Sequence, residues 1–450
     1  MRRNHAPVTP RRAGRGHAVV VGASMAGLCT ARVLADTFDH VTVLERDRLP
    51  DEARPRRGVP QGRHLHVLLP AGVEALERLF PGLGAELGDA GAPTIPTEQV
   101  RLCLNGHRLA PGDAARPEIA ASRPLLETAV AARVCAHPSV DLRDGVETAG
   151  LVTDPDGRRV TGVRARPRVE GAAAETLDAE LVVDCSGRRS RTPAWLEELG
   201  YAPPVVERLD VDVRYATRRY RLPADVLDGD RHLLVGPTPD RAAGGVLLAV
   251  ENGAWLVTLF GLRDVRPTVA SDGFEAFASR LAVPDLREAL RAGAPLDEPA
   301  GYRFPSDLRR RYDRLDALPA GLLVAGDAVA SFNPIYGQGM TIGALEALRL
   351  RELLAEGVVD PQRWFSAITP VVDTAWDLAI GADLAIPSVP GRRTLATRLQ
   401  QSYLRSYHAA ARRDPRLTAR FWRVAGLVDP PTALVRPAAL ARVAGGRLRR

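Results

Sequence analysis

Lysine is missing from this chain altogether: all 61 basic residues among its 450 are arginine. That excludes chemistry resting on a lysine amine, including Schiff-base catalysis and the phosphate-loop ATPases, whose signature needs the ammonium. Long apolar runs are missing too. Nowhere do about 18 apolar residues follow one another, so no transmembrane helix is predicted. Cysteine is scarce. Cys29, Cys103, Cys135 and Cys185 lie far apart with no C-x-x-C pair, which fits reduced thiols and a cytoplasmic location. The N-terminus MRRNHAPVTPRRAGRGH lacks a signal-peptide core and a small-residue cleavage site, so residues 1–16 read as a disordered tail.

The charge balance misleads at first sight. The formal net charge is +7, but residues 1–17 and 431–450 each hold five arginines and no acid. Without those ten the body of the chain stands at −3. A nucleic-acid surface would order its arginines along a groove or helix face, so no nucleic-acid partner is expected. Tail arginines can attract a membrane surface or an acidic carrier protein presenting a bound substrate; a solubilising role is the plainer reading. With 45% hydrophobic residues the chain can bury a large core, in two domains.

Two glycine-rich segments are what the chain does have. HAVVVGASMAG reads as a strand (17–21), a tight turn and a helix, with Gly22, Ser24 and Gly27 spaced as G-x-S-x-x-G. Gly22 permits the turn, Gly27 lets the helix pack close, and the helix N-terminus offers N–H groups to a pyrophosphate. A second strand ends in Glu45, where an acid binds a ribose 2′-hydroxyl. Arg46 follows, able to meet the adenosine or pyrophosphate or simply to face solvent. These elements predict a dinucleotide site.

The second segment points to which dinucleotide. Gly321-Leu-Leu-Val-Ala-Gly-Asp is a strand running into Gly326 and Asp327, followed by Pro334, Gly337, Gly339 and a helix from about Met340. A nicotinamide dehydrogenase needs only the first motif. A second strand–Gly–Asp–loop–helix unit suggests a further long polar part to hold, such as the ribityl chain and ring of FAD. Asp327 can accept a ribityl hydroxyl, and the helix after Gly339 aims its dipole at the flavin edge that gains negative charge on reduction.

The segment GDAVASFNPIYGQGMTIGALEA resembles the second motif of flavin-dependent monooxygenases with the para-hydroxybenzoate hydroxylase fold. Gly326, Asp327, Pro334, Gly337, Gln338, Gly339, Met340 and Gly343 are in register. Ala330 stands where histidine is common, Thr341 for asparagine and Glu346 for aspartate. The middle motif, D-G-x-x-S, appears as Asp184-Cys-Ser-Gly187-Arg-Arg-Ser190, with Ser186 where the hydroxylases carry aspartate. These departures, the segment 56–83 and the phrase YATRRYR at 215–221 look closer to bacterial flavin epoxidases of polyether and polyketide biosynthesis. The resemblance covers most of residues 17–350.

What the resemblance implies is an α/β fold: a Rossmann-like FAD-binding domain interrupted by a mainly β substrate domain, with a helical C-terminal region. Residues 17–95, 115–205 and 301–360 would form the first, 96–114 and 206–300 the second, 361–450 the third. Val100–Ala110 reads as a hairpin turned at Asn105-Gly106, and 122–135 as a helix capped by Ser122. The expected activity is a secondary-metabolism monooxygenase: FAD reduced by NADPH or NADH reacts with O2 to a C4a-hydroperoxide. One oxygen atom then passes to a small apolar polyketide- or terpenoid-like substrate by epoxidation or hydroxylation. Flavin halogenases share the cofactor domain but rely on a lysine, so halogenation is not expected.

Arg123 matches the family position that reaches the ribityl or phosphate side, and Gly187 belongs to the middle motif. His64 and His66 alternate as if along one strand, with no further ligands at metal spacing, so packing or a flavin-side contact is expected and no metal. Tyr215, Trp255 and Phe260 lie on expected substrate-domain strands, as pocket wall or core. Tyr336, inside the flavin loop, is the one polar candidate near the reacting edge, and no base–substrate pair stands out. Two other readings stand beside oxygen insertion: an FAD-dependent reductase of isoprenoid double bonds, related to the geranylgeranyl reductases, and an FAD-binding protein that has lost catalysis.

Overall fold

The computed structural model describes residues 15–50, 52–56, 60–113, 117–357 and 359–448. A five-stranded sheet carries the first glycine segment. Its order is Leu322–Val324, Leu181–Asp184, Arg15–Val21, Phe38–Glu45, Val140–Asp144, with every pair parallel. Strands from distant parts of the chain meet here because each is a short apolar run, Ala18–Val21, Val182–Val183 and Leu322–Val324 being fully buried. Such runs suit a sheet covered on both faces. The first strand begins at Arg15, so two residues expected in the tail are strand; residues 1–14 lie outside the described residues.

The large sheet has the order Ala330–Ser331, Ala300–Arg310, Val206–Arg221, Trp255–Leu262, Ala243–Ala249, His232–Val235, Val100–Leu104, His107–Arg108. The 100–108 hairpin joins it by parallel pairing of Val100–Cys103 with His232–Val235. Asn105 and Gly106 both take positive φ, 50° and 74°, as a two-residue primed turn requires. One boundary differs from the sequence expectation. Ala300–Arg310 was placed with the cofactor elements, but it pairs along Val206–Arg221 in the large sheet.

Alternation along these strands separates two faces. Tyr220, Trp255, Val257 and Leu259 pack on one face against Phe274, Phe277 and Leu286, from the helices Ser271–Phe277 and Asp285–Ala292. Both helices sit in the insertion read as strands. Tyr215, Phe260, Leu262 and Phe304 lie on the other face with Leu384, Ile386 and Val389. Those three follow Pro361–Asp383, the first of four C-terminal helices, the others being Leu395–Ala411, Pro415–Ala425 and Pro437–Leu448. Trp364 fastens that helix to the parallel sheet by donating Nε1–H to the Val324 carbonyl at 2.9 Å. No helix among the described residues is long and apolar enough to cross a membrane.

The glycine motifs act through close packing. Gly22 has φ 102°, and a Cβ there would lie 2.6 Å from the Cys185 carbonyl oxygen. A Cβ at Gly27 would come within 1.9 Å of the Gly22 carbonyl oxygen. Backbone cannot yield to such an overlap as a flexible side chain does. Gly27→Ala should therefore lower unfolding free energy by about 2–3 kcal/mol, the upper range of overpacking costs, as read by denaturant titration.

Candidate functional site

At the first turn the helix Met25–Leu34 starts after Ser24 with no side-chain cap. Its open N–H groups remain available to an anion. Glu45, at the end of the neighbouring strand, accepts from Ala23 N–H at 2.9 Å and Asp47 N–H at 3.0 Å. It also pairs with Arg56 at 2.9 Å. Burial alone would raise its pKa; the Arg56 guanidinium and the two amides outweigh that and hold the carboxyl below the usual range. Arg123 donates to the Ser24 hydroxyl at 3.0 Å and to Glu127 at 2.8 Å, both partners at the same turn.

The remaining Arg123 contact fixes a histidine. His66 Nε2 accepts from Arg123 at 3.1 Å, and its Nδ1 lies 2.9 Å from the His64 carbonyl, so Nδ1 carries the proton. Burial, then the Arg123 charge, pushes the pKa down to about 3. His64 turns the other way: Nδ1 lies 2.7 Å from the Thr217 hydroxyl on the large sheet. The segment between the two is irregular backbone, not the expected strand. The pair bridges the cofactor turn and the substrate sheet, and neither residue joins a metal set.

The second motif folds against the first. Cβ atoms at Gly326 and Gly343 would approach the Ala26 Cβ to 2.7 and 2.9 Å, so both need glycine to let the second motif close on the first helix. Asp327 sits between Gly187 and Gly339: a Cβ at the former would lie 3.9 Å from the Asp327 Cβ, and one at the latter 3.6 Å from its Oδ1. Desolvation raises the Asp327 pKa against the lowering by Arg123, Arg188 and Arg310, and no hydrogen bond contributes. The helix starts at Gln338, two residues before the expected Met340, capped by Gly337 at φ 66° with no side-chain cap. Met340 lies buried in its first turn. Two uncapped helix ends, an acceptor with no donor among the described residues and a glycine-lined cradle fit a long cofactor with an anionic middle. FAD would be held by the turn at Gly22–Gly27, by Asp327, and by the helix end at Gly339.

The loop before that helix draws in the rest of the molecule. Asn333, fully buried, accepts from the Tyr215 hydroxyl at 2.9 Å through Oδ1 and donates Nδ2–H to Asp383 at 2.8 Å. Tyr336 donates its hydroxyl to the same Asp383 oxygen at 2.8 Å. The phenol expected near the reacting edge is thus committed to a buried acid, and its role is better read as holding the loop. Pro334 opens the short 3-10 turn Pro334–Tyr336.

Two expectations that stood open are narrowed. Trp255 lies on the sheet face opposite Tyr215 and Phe260, five residues from Phe260 on one strand, so it packs against helices instead of facing the loop. Arg46 is exposed; its carbonyl accepts from Arg168 at 3.3 Å and its side chain is not drawn into the turn. Arg56, Glu127, Asp307 and Asp383 were missed. Arg56 lay inside the resembled segment but carried no assigned role. A lone aspartate at a strand or helix end has no local signature.

Asp327→Ala should weaken FAD binding by about 1.5–3 kcal/mol, the worth of a hydrogen bond to a charged group, as measured by flavin release on dilution. Glu346 gives a second test. It is 1% exposed, accepts the Gly326 N–H at 2.6 Å and leaves Oε1 unpartnered. Burial, then the Asp327 charge, pushes it up to about 8, against that hydrogen bond. A raised acid stabilises the fold fully below the usual carboxylate range and loses that contribution as pH rises toward its folded value. Glu346→Gln should flatten the fall in stability between about pH 5 and 8 in denaturant titrations; an unchanged slope would contradict it.

Comparison with known proteins gives the family. Residues 16–360 match the family described as FAD binding domain. Protein Rv3254 of Mycobacterium tuberculosis is 39% identical over 352 residues, 76% of this chain and 73% of that protein. The 6-methylpretetramide 4-monooxygenase of Streptomyces rimosus is 27% identical over 363 residues, 75% of each. The structure of the flavin-dependent brominase Bmp2 is similar in fold, with TM-score 0.67 at 16% identity over 96% of this chain and 99% of that one. The chain belongs to the FAD binding domain family and is a flavoprotein with the architecture of the flavin-dependent monooxygenases.

Proposed function

We propose that this protein is an FAD-dependent monooxygenase that uses NADPH or NADH and O2 to epoxidise or hydroxylate an apolar polyketide- or terpenoid-like intermediate. The observation that carries the substrate class is the wall beside the flavin loop. Tyr215, Phe260, Phe304, Leu384 and Ile386 form one apolar cluster, joined by the less buried Tyr302 and Ile335. An apolar wall with few polar groups binds an apolar ligand and keeps water away.

Bound flavin, reduced by the nicotinamide, supplies the activation of O2. The chain's own residues bind, orient and dry the site. Gly22, Ser24 and Gly27 shape the pyrophosphate turn, with Arg56 and Arg123 setting its charge; Asp327 and the Gly339 helix end hold the part beyond. His64 stands next to the apolar wall, with ring centroids 6.1 Å from Tyr215 and 5.5 Å from Tyr302. Burial, then the Arg63 charge, pushes its pKa down to about 4, which makes it a weak base at neutral pH. An alkene or unactivated ring needs no base, whereas an ionisable phenol would profit from one. That supports epoxidation of an alkene or hydroxylation of an unactivated ring over a phenol. The Streptomyces relative, by its name a monooxygenase, supports oxygen insertion as the class. The missing lysine supports oxygen transfer over halogenation, and the cytoplasm as location remains the reading from cysteine usage.

The test is isotopic. With the reduced nicotinamide as sole electron donor, one atom of ¹⁸O2 should appear in the product, and anaerobic mixtures should give none. Anaerobic formation of a saturated product would replace this reading with the double-bond reductase. FAD binding without turnover of any electron donor would leave only a binding protein. A phenol turned over far faster than any polyene would keep the monooxygenase and overturn the preference for an unactivated carbon.

A further inference from the structure

Asp307, on the strand Ala300–Arg310, and Asp383, the last residue of the helix Pro361–Asp383, are both 0% exposed. Asp307 Oδ1 accepts the Asn333 N–H at 2.6 Å. Asp383 Oδ1 accepts both the Asn333 amide and the Tyr336 hydroxyl, each at 2.8 Å. The remaining oxygens, Asp307 Oδ2 and Asp383 Oδ2, are sealed from solvent and find no hydrogen-bond donor among the described residues. Both acids are bound to Asn333, which brings the two carboxyls together, and each acts directly on the other. Two carboxylates in contact cannot both be ionised out of reach of water, so one proton must lie between them.

The surroundings say which residue carries it. Desolvation raises the Asp307 pKa, but Asp307 also accepts a backbone N–H and faces the Arg188 guanidinium, both of which favour its charge. Asp383 accepts only neutral donors, and the groups facing it are Asp307, Tyr336 and Asn333. Tyr215 faces both acids from the large sheet, its hydroxyl already given to Asn333. Arg309, next to Asp307 on the strand, is taken up by Asp373 at 2.5 Å, with Asp377 one turn on. Asp383 is therefore the acid and Asp307 the carboxylate. Desolvation first, then the Asp307 charge, holds Asp383 well above the ordinary range.

Everything this pair grips belongs to one loop. Asn333 and Tyr336 are the first and fourth residues of Asn333–Gly337, and Gly337 caps the helix Gln338–Ala355. We propose that Asp307 and Asp383 are positioning residues that share one proton and hold the loop Asn333–Gly337, and hence the N-terminus of the following helix, in the form that accepts the flavin. The substrate sheet and the C-terminal region, which lies beyond the family match, thus jointly complete the cofactor site. The inference rests on FAD binding and not on which reaction the flavin performs, so it stands or falls separately from oxygen transfer.

A shared proton has a distinctive substitution pattern. In Asp383→Asn the amide donates to Asp307 Oδ2 as the acid did, and its oxygen still accepts from Asn333 and Tyr336. In the double variant Asp307→Asn/Asp383→Asn two amides face each other and no acceptor is left for either N–H. FAD affinity is read by flavin fluorescence on titration of the apoprotein, in the Glu346→Gln background so that Glu346 does not titrate. The single variant should bind within about threefold of its parent and the double at least about tenfold more weakly. The pH profile is the second readout. A raised acid keeps its grip at low and neutral pH and loses it as pH rises through the folded value, so the parent should release flavin on the alkaline side. Asp383→Asn, with no proton to lose, should not. A single variant as weak as the double, a double as tight as its parent, or the same alkaline profile in parent and Asp383→Asn would overturn the proposal.

Discussion

Everything at the cofactor site hangs on one close approach, that of the second glycine motif to Ala26 in the first. Gly326 and Gly343 both press on the Ala26 Cβ, where a side chain would stand under 3 Å away. Gly22 presses the same turn against the Cys185 carbonyl. Packing of this kind is stiff because backbone meets backbone, with no rotamer to absorb an added atom. The first helix, the strand ends at Glu45 and Asp184, and the loop at Gly326 are locked in one arrangement. Asp184 illustrates the result: it accepts Ser186 N–H at 2.8 Å and the Ser190 and Thr192 hydroxyls at 2.5 Å, closing the middle motif on itself.

That stiffness lets buried charges be useful. Arg56 and Arg123 are each only 7% exposed in their side chains, and Glu45 and Glu127 answer them at the same turn. Taking such groups out of water costs several kcal/mol each, and their pairing recovers this only with good geometry. An array already dehydrated and oriented has less to reorganise when an anionic pyrophosphate arrives. Asp327 is the exception that marks the site. Burial raises its pKa against the lowering by three arginines, and none of them donates to it, so it would be free to accept a cofactor hydroxyl.

How much of this was legible follows from how each feature is encoded. The strand–turn–helix units announce themselves because glycine spacing and apolar runs are local. The hairpin at Asn105-Gly106 and the Ser122 cap, whose hydroxyl accepts the Leu125 N–H at 3.3 Å, are local as well. Trp255 stood open between pocket wall and core because aromatic content shows a strand but not which face is which; strand parity against Phe260 separates the two. Tyr336 was read as facing the reaction because its loop was recognised and its partner was not. That partner, Asp383, lies 47 residues further on in a helix with no motif. The two helices late in the insertion, Ser271–Phe277 and Asp285–Ala292, were overshadowed by the long strands before them.

The acids around the flavin loop show a common economy of charge. Asp327, Glu346, Asp307 and Asp383 all gather near one helix N-terminus, and four full negative charges there would repel one another. They would also oppose a cofactor edge that gains negative charge on reduction. The structure answers by keeping Glu346 protonated to about pH 8 and by letting Asp307 and Asp383 share a proton. Asp327 is left facing arginines. The carboxyl groups keep their geometry as acceptors while most of their charge is removed. The apolar cluster around Tyr215 and Phe260 can then pack directly beside this polar loop.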